Sequence, residues 1–144
     1  MTHQQFSKSD EQEVLELFLR QAKAETAHDI EGMDAVLARS AEGEPDPVNF
    51  VARAYRFWGR EAVLEHFRTV FAGTWRFEPE VSEIRILPIS ADVAHIFAPT
   101  QITVGPADAT GTAAATTYRF LVNEFALRTP AGWRISAIVP VPGQ

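Results

Sequence analysis

After Trp75, no stretch of this 144-residue chain repeats its apolar residues at helical spacing. Four runs rich in β-branched and aromatic residues follow instead: Glu80 to Leu87, Val93 to Val104, Thr116 to Arg128 and Trp133 to Val139. Turn-forming residues punctuate them at Pro88, Gly105 to Gly111 and Pro130 to Gly132, so the second half predicts sequential strands. A sheet of that size needs something on its concave side, and the first half supplies it.

From Asp10 to Thr26, Val14, Leu15, Phe18 and Ala22 recur at helical spacing, and acids fill the first turn near the positive end of the helix dipole. Asp29 is a candidate N-cap for a second helix carrying Ile30, Met33, Val36 and Leu37. Val48 to Trp58 predicts a strand. A third helix follows from Arg60 to Phe71, with Val63, Leu64, Phe67 and Val70 on one face, closed by Gly73. An unbroken strand over 48–58 would place Asn49, Val51, Arg53, Tyr55 and Phe57 on a mixed face suited to solvent or a dimer seam. Phe50, Ala52, Ala54 and Trp58 would then form the apolar face suited to a pocket.

Three helices in the N-terminal half and long sequential strands after them predict an α+β fold, the helices packed in the concave face of a curved, mainly antiparallel sheet that leaves a cone-shaped pocket. Residues 1–144 are expected to form one domain, with residues 1–9 a flexible N-terminal segment. YRFLVNEFAL (118–127) is apolar on both faces, so the outer face needs a cover, and a homodimer through that face is the simplest one. The small residues of Gly105 to Thr117 (GPADATGTAAATT) predict a mobile loop.

Composition excludes several functions. With no cysteine, neither a disulfide framework nor a thiolate metal site can form. His3, His28, His66 and His95 are scattered and make no metal-binding pair, and no cofactor motif is present. A net charge of −6 opposes a phosphate backbone, and no apolar run approaches the ~20 residues of a membrane helix. Nucleic acid and membrane are therefore not expected partners. MTHQQFSKSD lacks the order of a signal peptide, which points to the cytoplasm.

Six segments carry a resemblance: AHDIEGMDAVLA (27–38), VNFV (48–51), GREAV (59–63), VFAG (70–73), ADVA (91–94) and GWRISA (132–137). In this order and spacing they resemble the SnoaL-like branch of the nuclear-transport-factor-2-like superfamily, more narrowly the SgcJ/EcaC type. The resemblance implies a cystatin-like α+β cone holding a small molecule. It also marks two departures. Val139, Pro140 and Val141 stand where that type usually ends in a polar patch, and Phe67 stands at its usual third-helix His, with His66 one position away, about 100° around the helix.

Ketosteroid isomerase belongs to the same superfamily and joins an Asp base to an oxyanion grip made by a Tyr and a protonated Asp. The resemblance places Gln21 at the Tyr and Glu124 at the protonated Asp. Gln21 either donates to a ligand or merely edges the core. Glu124 shares a strand face with Phe120 and Val122. It either stays neutral there and donates a hydrogen bond beside Gln21, or pairs with Arg119 or Arg128. The base position falls near Phe50, and no carboxylate lies between Asp46 and Glu61. His95 is a second candidate base, with a packed or interface role as the alternative.

The expected site is therefore a pocket lined by Phe18, Gln21, Phe67, Phe120 and Val139, with Glu124 as the hydrogen-bonding acid and His95 as candidate base. The ligand would be a small hydrophobic molecule, polycyclic or polyketide-like. Any reaction would be slow acid–base chemistry of the isomerase, cyclase or dehydratase class. The alternative is a non-catalytic dimeric accessory or ligand-binding module.

Overall fold

The computed structural model describes residues 5–106 and 115–143. Ser7 caps α1 (Lys8–Thr26): its hydroxyl accepts from the Asp10 N–H, and the Asp10 carboxylate accepts from the Ser7 N–H. The helix thus begins two residues before the periodicity indicates, and Phe6 packs edge-on against Trp133 with ring centroids 5.5 Å apart. From Phe6 onward, the segment expected to be flexible is held by this cap and ring contact. Residues 1–4 lie outside the described residues.

α2 (Ile30–Val36) is capped by the Asp29 side chain, as its sequence indicates. Its C-terminal end is tied down by Arg60, the first residue of α3 (Arg60–Phe71). Arg60 is 8% exposed; it donates to the carbonyls of Asp34, Leu37 and Ala38 and pairs with Asp34 and Asp46. A single guanidinium thereby satisfies helix-end carbonyls that would otherwise lack donors.

Between α2 and α3 the expected strand is a tight hairpin, β1 (Asn49–Val51) and β2 (Arg56–Trp58), with Phe50 opposite Phe57. The turn at 52–55 breaks the alternation assumed for one extended strand, so Phe57 shares a face with Phe50 while Trp58 is 66% exposed. β3 (Thr74–Pro79) and β4 (Arg85–Ser90) flank a 3-10 turn at Val81–Glu83, where the sequence suggested one strand from Glu80 to Leu87. Both pair with β5 (Val93–Gly105).

β5, β6 (Thr116–Thr129) and β7 (Gly132–Pro142) form the long antiparallel centre of the seven-stranded sheet. β1 joins β7 in parallel, giving the order β2-β1-β7-β6-β5-β3. The α+β architecture is the one the residue order predicts: helices in the hollow of a curved, mainly antiparallel sheet. The connection expected to be a mobile loop, Gly105 to Thr117, lies mostly outside the described residues.

Buried α1 residues Val14, Leu17, Phe18 and Ala22 meet Ala94, Ile96, Val122, Ala126 and Ile135 of the sheet in one continuous core. α1 is also locked to the far strands electrostatically. The Asp10 carboxylate accepts from both terminal nitrogens of Arg128 at 2.9 and 3.0 Å and from Trp133 Nε1 at 3.1 Å. These bonds hold the Asp10 carboxyl well below the usual carboxylate range, the Arg128 guanidinium being the main cause. Because the folded form depresses this acid, its stabilisation is complete above pH ~4 and is lost as the pH falls toward the folded value. Asp10→Asn should cost about 2 kcal/mol at neutral pH and flatten the loss of stability below pH ~4. Urea unfolding of both proteins from pH 7 to pH 3 checks this.

Candidate functional site

The sheet's alternation delivers Phe120, Val122, Glu124 and Ala126 of β6 to the concave side, where Glu124 is fully buried. From α1, Gln21 and Glu25 stand one turn apart on the same buried face. The Gln21 side-chain amide lies between the two acids, its nitrogen donating to Glu25 Oε2 at 2.8 Å and to Glu124 Oε2 at 2.7 Å. Trp75 Nε1 of β3 donates to Glu25 Oε1 at 3.1 Å. The result is a buried acid–amide–acid chain with no ion pair to either carboxyl among the described residues.

Burial pushes the Glu25 carboxyl up to about 8, against the pull of the N–H donors of Gln21 and Trp75. Glu124 is raised well above the ordinary range, first by burial and then by the charge of Glu25, with the Gln21 N–H opposing. At neutral pH the pair holds at least one proton, and Glu124, with the fewer donors, keeps it more firmly. Gln21 Oε1 and Glu124 Oε1 have no partner among the described residues. A proton on Glu124 turns one of these two unpaired acceptors into a donor.

A cavity of about 590 Å³ opens between α3, the β1–β2 hairpin and the concave sheet. Phe50, Tyr55, Phe57, Trp75 and Phe120 supply aromatic walls, and His66 stacks on Phe57 with centroids 4.8 Å apart. Burial lowers the His66 imidazole to about 4, so it is neutral at physiological pH. Trp75 and Phe50 also bound a smaller cleft of about 20 Å³, where they meet Phe67, Phe77 and the Glu25 side chain. The two spaces share Phe50, Trp75, Ile102 and Pro140; Glu25 borders the smaller one, while Gln21 and Glu124 line neither.

The structure brings together Gln21, Glu124, Phe67 and Phe120 of the residues singled out from sequence. Phe67 walls the inner cleft and Phe120 the main cavity. Phe18 is fully buried in the core beneath them, against Phe77 at 5.9 Å, and lines neither space. Both N–H groups of Gln21 are committed to the two acids, leaving it none for a ligand. Glu124 is not an ion-pair partner: Arg119 holds Glu80, and Arg128 holds Asp10 and Asp92.

Val139 and His95 lie elsewhere. Unbroken alternation from Trp133 through Ile135 would turn Val139 inward, but a bulge at Ser136 shifts the β7 register. Ile138 and Pro140 face the hollow in its place, and Val139 pairs with Asn123 on the outer face. His95 alternates with the buried Ala94 and Ile96, so it also faces outward. There its Nε2 meets Asn123 Oδ1 at 2.9 Å and its ring stacks on Phe125.

Four residues of the site escaped the sequence reading. Glu25 had a signal, an acid on the apolar stripe four residues after Gln21. Trp75 fell between predicted elements, and Phe57 and Tyr55 were misplaced by the unrecognised hairpin. Because both acids are raised by burial, stability should fall as pH rises from ~5 toward ~8, where the folded form resists losing its proton. Thermal unfolding at pH 6 and pH 9 should show that fall, and Glu25→Gln should reduce it.

A family model described as a SnoaL-like domain matches residues 14–139. No curated protein matches. Solved structures match over nearly the whole chain at low identity. One is a candidate dehydratase of the NTF2-like family from Streptomyces avermitilis (17% identity, TM-score 0.75, covering 94% of this chain and 97% of that one). Another is a candidate aromatic ring hydroxylase from Novosphingobium aromaticivorans (17%, 0.79, 96% and 92%). A third is an NTF2-like superfamily protein from Salmonella enterica (14%, 0.78, 94% and 92%). At these identities the likeness is one of fold. With the family model spanning helices and sheet alike, the chain belongs to the SnoaL-like domain family.

Proposed function

We infer that the chain binds a small hydrophobic molecule in the aromatic-walled cavity and performs slow acid–base chemistry on it, of the isomerase, cyclase or dehydratase class. The observation that carries this reading is the buried Glu25–Gln21–Glu124 chain, whose Glu25 borders the inner cleft next to the cavity. A second titratable group one side-chain amide away from Glu124 gives the site both a held proton and a place to put one. A flat polycyclic or polyketide-like ligand suits the walls of Phe50, Phe57, Trp75 and Phe120. The descriptions of two relatives, a candidate dehydratase and a candidate scytalone dehydratase from Novosphingobium aromaticivorans, are in keeping with that class.

In this reading Glu124, neutral through burial, is the hydrogen-bonding acid. Binding of a planar aromatic ketone such as fluorenone, followed by calorimetry, tests it. Glu124→Ala should weaken binding by about 1–3 kcal/mol, and Glu124→Gln, which keeps a donor, by less. Equal affinity in all three proteins would overturn the role.

The second reading, a non-catalytic dimeric ligand-binding module, is favoured by Phe50, an apolar side chain where the resemblance expects a base. Proton exchange is the discriminator: deuterium uptake from heavy water at the carbon next to the carbonyl of 2-tetralone, above the buffer rate and lost in Glu25→Gln, marks an enzyme. In both readings a second copy covers the outer sheet face. That face carries Leu87, Leu121, Phe125, Val139 and Val141, of which Leu87 and Val141 are exposed. Sedimentation at micromolar concentration should give a dimer.

A further inference from the structure

The walls of the 590 Å³ cavity are mostly apolar, and five of its side chains carry a polar atom. Four of these are engaged or turned to solvent. Trp75 gives its N–H to Glu25, the Thr69 hydroxyl donates to the Glu65 carbonyl, Glu65 is exposed and pairs with Arg68, and Tyr55 is exposed on the hairpin turn. The fifth, His66, has no hydrogen bond among the described residues.

The periodicity of α3 puts His66 on the cavity. Ala62, His66, Thr69 and Val70 recur at helical spacing along its wall, beside the core residues Val63, Leu64 and Phe67. The imidazole is wedged among four rings, with centroids 4.4 Å from Phe50, 4.8 Å from Phe57, 5.2 Å from Phe67 and 5.8 Å from Tyr55. A phenylalanine would sit in such a nest with nothing left unpaired. An imidazole leaves nitrogens without partners, a loss that calls for a compensating use.

The two nitrogens differ in what they can do. Nε2 is closed off from solvent and has no partner among the described residues. Nδ1 has no partner there either, but it is not closed off. An N–H enclosed by rings keeps a weak partner in their π electrons, whereas an enclosed lone pair keeps none. The proton of the neutral ring therefore belongs on Nε2 and the lone pair on Nδ1, the nitrogen still open to a visitor. We propose that His66 determines the specificity of the cavity, its Nδ1 accepting a hydrogen bond from the hydroxyl of a flat aromatic ligand, a phenol or an enol. This deepens the small-molecule reading above and rests on it. Burial holds the imidazole at about 4, so the lone pair stays available through the physiological range. The bond lies in the plane of the ring and does not compete with the stacking of Phe57 on its face. A ligand without a donor would fill the cavity and leave Nδ1 unpaired, which narrows the class from flat apolar molecules to hydroxylated ones.

Equilibrium dialysis with 2-naphthol and 2-fluoronaphthalene tests this, since the two probes share a ring system and differ in hydroxyl against fluorine. In the unmodified protein the ratio of the two affinities should favour 2-naphthol by about fivefold or more over the ratio in His66→Phe, which should still bind 2-fluoronaphthalene. Nitrogen-15 spectra of the histidine-labelled unmodified protein read the same bond without any variant. The unprotonated Nδ1 resonance of His66 should move upfield when 2-naphthol binds and stay in place with 2-fluoronaphthalene. An equal ratio in both proteins, or an unmoved Nδ1 resonance with 2-naphthol bound, overturns the role of His66 and leaves the cavity reading standing. Binding of neither probe to the unmodified protein overturns both.

Discussion

One side-chain amide, that of Gln21, joins the first helix to the middle of the sheet across 103 residues of sequence. Its two N–H groups are what allow a pair of acids to sit at the bottom of an apolar hollow. Without that bridge, each carboxyl would lose a hydrogen bond it cannot recover from water, at a cost of about 1–3 kcal/mol apiece. The depth at which α1 lies in the sheet, and hence where the cavity ends, depends on this contact as much as on the packing of Val14, Leu17 and Phe18.

The same helix is held at its other end by an interaction of opposite character. Asp10 is charged, meets Arg128 and Trp133, and gains from its charge. Glu25 and Glu124 are buried without a cation among the described residues and lose from theirs. Along a single helix, the first acid is a charged staple and the last is a buried acid that favours its neutral form. The difference comes from the partner on β6, an arginine near the strand's end in one case and another acid at its middle in the other.

Much of the architecture was legible in the residues. The periods of α1, α2 and α3, the Asp29 cap and the three long strands follow from spacing alone, since each is set by neighbours within a few positions. The failures are equally local in cause. A reversal of chain direction at 52–55 carries no Gly or Pro to announce it, so Phe57 and Trp58 exchanged faces. One extra residue at Ser136 reversed the parity of β7, taking Val139 out of the pocket and bringing Pro140 in.

The site was legible only in part. Glu124, Phe67 and Phe120 could be placed by face and by resemblance, and Gln21 by its position on the helix stripe. That Gln21 spends its donors on two acids, and that Glu25 is one of them, could not. Sequence determined which faces of each element are apolar, because burial of a face is decided by a period of two or about 3.6. Tertiary structure alone decided which buried polar groups meet, because α1 and β6 lie about a hundred residues apart and hydrogen bonding between them depends on how deeply the sheet curves around the helix.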